Sequence, residues 1–355
     1  MRFADELKSA VTPRAALLVI GVLALQLLFI ASYVGALHNP KPRDVPFGVV
    51  APGAAAEQTA DKLKKLPGDP LDPRVLKDEA AARHQIMNRD IDGALLVDPR
   101  GTTDTLLVAS GGGTALSRTL TTLVTDVDAA EKRTVKTDDV APASDQDFNG
   151  LSSFYLVVGW CVGGYLCASI LAISAGSRAS NVPRAVIRLG TMALYAIVGG
   201  LGGAVIIGPI LGALPGSVLG LWGLGALVIF GVGAVTLALQ ALTGIVGIGL
   251  AVLLVVIGGN PSAGGAFPLP MLPPFWEAIG PWLQPGAGTW VARSIAYFDG
   301  NSITRPLLVL AAWALLGTVV TLALSARRKT HHSSNIDLSG TNYGSGNGSG
   351  SRRFG

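Results

Sequence analysis

Six apolar stretches stand out along the chain, each near the roughly 20 residues that a helix needs to cross a bilayer. They run over Ala15–Leu37, Phe154–Ala175, Ala185–Leu211, Val218–Gln240, Gly244–Gly258 and Pro306–Ala326. Pro209 breaks the third near its end, Pro215-Gly216 turns the chain into the fourth, and the fifth is short. The first has a rival reading as a cleavable signal peptide ending at Val34-Gly35-Ala36. Its apolar run of about 20 residues exceeds the usual 7–15 of such a segment, which favours an uncleaved anchor. The pattern predicts an α-helical polytopic membrane protein with six transmembrane helices.

Between the first and second helices the periodicity changes. Val45–Val50, Gly93–Asp98, Thr105–Ser110 and Lys132–Ala141 read as strands. Ala56, Ala60 and Leu63 recur at helical spacing. Asp72-Pro73 reads as the start of a helix running to Asn88, with Asp as cap and Pro in the first turn. Leu116, Leu120, Leu123, Val124 and Val127 form a 3.6-residue stripe. The order β-α-α-β-β-α-β predicts a small α/β domain. The expected organisation is a cytoplasmic N-terminus (1–14), helix 1 (15–37) and an extracytoplasmic α/β domain (38–150). A five-helix membrane domain (151–326) with an outer interfacial loop (259–305) and a disordered basic cytoplasmic tail (327–355) follow.

Composition narrows the class. The chain has 355 residues, 50% of them apolar, 14% charged and a formal charge of +4. The charged share is well below the roughly 25% of soluble domains, and disorder would need the opposite bias. Segment 38–150 carries 14 basic against 18 acidic residues, whereas Glu277 is the one charge between Leu189 and Ala292. No clustered basic face points to nucleic acid. Basic residues gather at Arg2, Lys8 and Arg14, at Arg178, Arg184 and Arg188, and at Arg327, Arg328 and Lys329. Six helices place all three clusters on one side, which the positive-inside rule makes the cytoplasm. Both termini are then inside a bacterial plasma membrane. Segment 38–150 and the loops 212–217 and 259–305 face out.

Candidate chemistry is sparse. His84, the pairs Asp90/Asp92 and Asp138/Asp139, and the tail's His331-His332 read better as surface, turn and tail residues than as catalytic or metal groups. Gly111-Gly112-Gly113-Thr114 reads as a flexible turn rather than an anion cradle, since it lacks the Lys of a phosphate-binding loop. Cys161 and Cys167, six apart on a helix, point away from each other. No catalytic, cofactor or metal site emerges. Spans two to six hold no Asp or Glu, which argues against proton- or cation-coupled antiport. Without a Walker-type loop, any ATPase must be a separate chain. The pairs Gly159/Gly163 and Gly199/Gly203, with Gly244, Gly247 and Gly249, suit close helix packing or a homodimer face.

The stretch from Gly258 to Ser302 is the most distinctive. It holds Asn260-Pro261-Ser262-Ala263-Gly264-Gly265, Leu272-Pro273-Pro274-Phe275-Trp276, Pro281-Trp282-Leu283-Gln284-Pro285-Gly286-Ala287 and Arg293…Tyr297-Phe298. Its aromatics suit the membrane–water boundary. It reads as interfacial or re-entrant helices, either anchoring the protein or lining a path for an amphipathic substrate through Asn260, Pro261, Phe275, Trp276, Trp282 and Arg293. These motifs, with the layout of one helix, an outer domain and five helices, resemble the YhgE/Pip-like proteins, relatives of the ABC-2 type exporter permeases. The resemblance covers roughly residues 10–330, with specific motifs only in 258–298 and a more compact outer segment than is common. It implies the membrane subunit of an exporter of a lipophilic or amphipathic substrate, working as a dimer with a separate ATPase. The best candidate for an ATPase-coupling helix is Ser177–Arg188, with Arg178, Arg184 and Arg188. The competing expectation is an envelope scaffold or secretion-accessory protein whose outer domain binds a partner.

Overall fold

The structure, a computed structural model, describes residues 12–339. Arg2 and Lys8 of the first basic cluster, and the tail beyond Ser339, lie outside the described residues. Five helices are long and apolar enough to cross a membrane: Ala15–Leu37, Ser152–Ala175, Val182–Ile210, Val218–Thr243 and Thr304–Arg327. The protein is thus mainly helical and of multi-pass membrane type, with a small α/β sheet domain between the first two.

The first helix, α1 (Pro13–Leu37), begins at the capping hydroxyl of Thr12, which accepts from the Ala15 N–H. The α/β domain follows as β1 (Val45–Val50), α2 (Ala55–Lys64), β2 (Leu71–Val75), α3 (Glu79–Met87), β3 (Gly93–Leu96), β4 (Thr103–Val108), α4 (Thr114–Ala130) and β5 (Thr134–Asp139). The sheet order is β2-β1-β3-β4-β5, with only the β3–β4 pair antiparallel. One sequence expectation fails here. Asp72-Pro73 opens no helix but sits in β2, with Pro73 opposite Phe47. β2 is an edge strand, so a missing N–H on its outer side is tolerated. The helix starts six residues later, where Asp78 accepts from the Ala81 N–H at 2.8 Å. The inward stripe of α4 comes out as read: Leu116, Leu120 and Val124 are buried against Phe47, Leu95 and Leu106.

The remaining helices are α5 (Ser152–Ala175), α6 (Val182–Val205, extended by a π turn to Ile210), α7 (Val218–Thr243), α8 (Val246–Val252, continued as a π turn to Gly259), α9 (Pro274–Ile279), α10 (Gln284–Tyr297) and α11 (Thr304–Ser339). The fifth stretch, expected as a short Gly244–Gly258, falls at nearly the same place. Only Val246–Gly259 is helical, and its 14 residues rise roughly 21 Å against a hydrocarbon core of about 30 Å. It still carries the chain along the bundle, because Gly244 lies beside Ser177 and Arg178 while Gly259 lies beside Pro285. Of the expected tail, only 327–339 is described, as the last turns of α11. The sequence holds no glycine or proline from 318 to Gly340 to stop it.

α7 is the hub of the bundle, and glycine makes its contacts close. A Cβ on Gly200 would sit 2.6 Å from the backbone of α7, and one on Gly225 would meet the Trp160 ring at the same distance. Gly163 and Gly203, expected at a helix or dimer face, meet Tyr195 and Trp160 of the same chain, whereas Gly159 has open space. Gly317 of α11 would drive a Cβ to 2.5 Å from the Ala234–Val235 peptide of α7. Backbone cannot yield as a side chain can. Gly317→Leu is therefore expected to cost about 3 kcal/mol, the upper end for overpacking. A fall in the thermal midpoint of the detergent-solubilised protein measures it.

Candidate functional site

The α/β domain is seated on α10 and the loop before it. β1 and β3 start at this seat, and β4 and β5 end there. The Lys41 and Arg43 N–H groups donate to the Met271 and Pro270 carbonyls. Gly111, Gly112 and Gly113 form a tight turn pressed onto Tyr297, Phe298 and Pro268, where a Cβ on Gly111 would come to 2.5 Å from Tyr297. The turn expected to be flexible is thus packed, and glycine is needed there for approach. The Tyr297 hydroxyl donates to Asp147 at 3.3 Å in the link to α5.

Arg293 fastens the seat. It is 3% exposed. Its guanidinium donates to the carbonyls of Gly264 at 2.7 Å, Gly265 at 2.8 Å and Gly150 at 3.2 Å. Loop, helix α10 and the entry to α5 are held by one side chain. A planar cation with five donors suits this better than an ammonium would.

From the domain side, Arg89 reaches across. α3 ends at Met87 with Asn88 as its cap, and Arg89 takes φ +60°, the left-handed position usually given to glycine at a helix C-terminus. This turns its side chain onto α10. Nη1 donates to the Trp290 carbonyl and the Ser294 hydroxyl, both at 2.9 Å. The guanidinium lies 3.4 Å from the Trp290 ring centroid and 4.8 Å from that of Phe298. Ser302 donates to Asn88 O at 2.5 Å and Asn301 to Met87 O at 3.1 Å, so the turn before α11 closes on the same place.

Between these contacts lies a cavity of about 560 Å³, within the range of small-molecule sites. The domain contributes Asp44, Arg89, Asp90 and Asp92. The membrane part contributes Leu269, Pro270, Glu277, Pro281, Ala287, Thr289, Trp290, Arg293, Thr304, Arg305 and Pro306. A recess of about 20 Å³ behind Arg89 and Asp92 extends it. Among the described residues, Asp44, Asp90, Asp92 and Glu277 have no hydrogen-bond or ion-pair partner for their side chains. Burial raises Asp92 to about 6, with the Arg89 charge opposing. Burial also raises Glu277 and lowers Arg89 from their ordinary values.

The Asp92 shift predicts a pH dependence. The folded state binds this proton more tightly than the unfolded chain. Its contribution to stability is full below the ordinary value of 3.8 and is lost as pH rises through about 6. Asp92→Asn should stabilise the protein by up to roughly 3 kcal/mol at pH 8 and by nothing at pH 3.5. Thermal midpoints of both proteins across that range check it.

Of the six loop residues singled out in the sequence, only Arg293 lines the cavity. Asn260 and Pro261 are buried, just after the turn where Ser32 of α1 donates to the Ile257 carbonyl. Phe275 and Trp282 are 64% and 56% exposed. Phe275 meets Trp276 edge-on at 5.1 Å, and Arg305 lies 5.0 Å from the Trp282 ring. Phe275, Trp276 and Trp282 do not line the cavity. Arg178, Arg184 and Arg188 sit at the other end of α5, 24 residues away. No separate helix forms over 177–188, because Asn181 caps α6 directly by accepting from the Arg184 N–H. Arg188 is buried and donates to the Ala175 and Gly176 carbonyls, whereas Arg178, which donates to that of Leu242, and Arg184 are both exposed. Sequence reasoning missed Arg89, Asp92 and Glu277 as a group. The signal available was Glu277, an isolated charge in an apolar half of the chain.

Cys161 and Cys167 are free thiols. Among the described residues, no three His, Cys, Asp or Glu side chains come together as a metal site. Comparison of the chain with protein-family models, with curated proteins and with solved structures gives no match.

Proposed function

We propose that this chain is the membrane subunit of an exporter for a lipophilic or amphipathic substrate, similar to the ABC-2 type permeases and the YhgE/Pip-like proteins, and driven by a separate ATPase. In this reading it sits in the bacterial plasma membrane with six passes. Both termini are cytoplasmic and the α/β domain is outside. The observation that carries the reading is the cavity at the domain seat, with a carboxylate-rich wall from the domain and an apolar wall from the membrane part. Such a site takes a molecule with a polar head and an apolar body. At the opposite end of the bundle, Arg178 and Arg184 are exposed cations available to an ATPase.

The test is affinity purification from native membranes in mild detergent, with mass spectrometry of what is retained. A cytoplasmic ATPase in near-stoichiometric amount is the expected result, reduced in Arg184→Glu. Retention of envelope proteins without an ATPase would replace the exporter by a scaffold.

A further inference from the structure

One wall of the cavity holds two opposite charges that do not pair. Arg89 and Asp92 both face the cavity and the recess behind it. They are near enough to feel each other's charge, yet they form no ion pair among the described residues. The reason is geometric. Arg89 is pinned through Nη1 to Trp290 and Ser294 and is stacked on the Trp290 and Phe298 rings. Its Nε and Nη2 have no hydrogen-bond partner among the described residues, nor does the Asp92 carboxylate. A pre-positioned donor set and a pre-positioned acceptor thus stand side by side in a poorly solvated wall. Asp90 adds a second unpaired carboxylate at the rim.

A ligand of one sign gains at one of these residues and is repelled at the other. A ligand carrying both signs satisfies both, and the electrostatic gain is largest away from bulk water. Leu269 and Pro281 give the cavity an apolar surface, and Pro281 adjoins the exposed Trp282. Building on the amphipathic-substrate reading above, we propose that the cavity binds a zwitterionic amphiphile, its phosphate or carboxylate on Arg89, its ammonium on Asp92 and Asp90, and its apolar chain along Leu269 and Pro281.

The full-length protein in detergent, titrated with fluorescent-chain lipids, tests this. The probes are phosphatidylethanolamine, phosphatidylglycerol, a cationic dialkyl ammonium lipid, and soluble glycerophosphoethanolamine as the headgroup alone. Phosphatidylethanolamine should bind at least about tenfold more tightly than either singly charged lipid, the worth of one charge-assisted hydrogen bond. Binding of the soluble headgroup should be weaker still. Asp92→Asn should bring phosphatidylethanolamine down to the level of phosphatidylglycerol. Arg89→Gln should bring it down to that of the cationic lipid. Thermal midpoints confirm that each variant is folded. Equal binding of all three lipids, or tighter binding of the soluble headgroup, overturns this proposal and leaves the amphiphile reading standing or narrowed. Failure of every lipid to bind overturns both.

Discussion

Arg293→Met is expected to destabilise the protein by at least about 3 kcal/mol, the most costly change at the domain seat. The guanidinium is buried and supplies hydrogen bonds to three carbonyls on two separate segments. Removing it strands those carbonyls away from water, at about 1–3 kcal/mol for each unsatisfied group. Methionine fills much of the volume, so the loss reports hydrogen bonding rather than a void. Arg293→Lys should recover only a minority of the loss, because one ammonium cannot fork toward Gly264, Gly265 and Gly150 together. Denaturation of the purified protein followed by Trp fluorescence reads both variants. A loss under 1 kcal/mol would mean that the domain is seated by other contacts.

Arg133→Ala should cost a similar 3–5 kcal/mol at neutral pH, this time at the end of the sheet remote from the seat. Asp104 is 1% exposed and is held by Arg133 through Nε at 2.6 Å and through Nη2. It also accepts from the Asp98 N–H at 2.7 Å. Asp128 lies against it with its carboxyl pushed up, by burial first and by the Asp104 charge second. Without Arg133, two acids share a buried site with no cation. Asp104 is held below its ordinary range with Arg133 present, so its stabilising share is lost as pH falls and it protonates. The cost of Arg133→Ala should therefore shrink toward pH 4, where Asp104 is neutral in the variant. Arg133→Ala with Asp104→Asn should recover stability at pH 7. An unchanged penalty from pH 7 to pH 4 would rule out the charge as its cause.

These two sites show what the sequence could and could not reveal. The spans were legible because a continuous apolar run has few other fates. The α4 stripe was legible because one face of a helix repeats at 3.6 residues. β2 was not, since Asp72-Pro73 and Asp78-Glu79 both resemble helix starts and only pairing with β1 separates them. The short fifth stretch was legible to within two residues, but its π turn from Leu253 to Gly259 was not, since composition does not encode it. The site was the least legible part. Arg89 reaches Trp290 across 201 positions and Ser294 across 205. Its direction is set by one left-handed backbone residue that looks like an ordinary turn in the sequence. Asp90 and Asp92 were visible as a pair, but a turn pair and a cavity wall have the same spelling. The loop motifs drew attention to the right region, although most of their residues shape the loop, contact α1 or face outward rather than lining the cavity.

The exporter reading is tested most directly by ATP-dependent uptake of a fluorescent phosphatidylethanolamine into inside-out membrane vesicles. The comparison is between the native chain and Thr304→Trp, which places a ring in the cavity mouth at an exposed lining position. The account predicts uptake that requires ATP and falls severalfold in Thr304→Trp. Uptake that is independent of ATP, or equal in the two proteins, would contradict it.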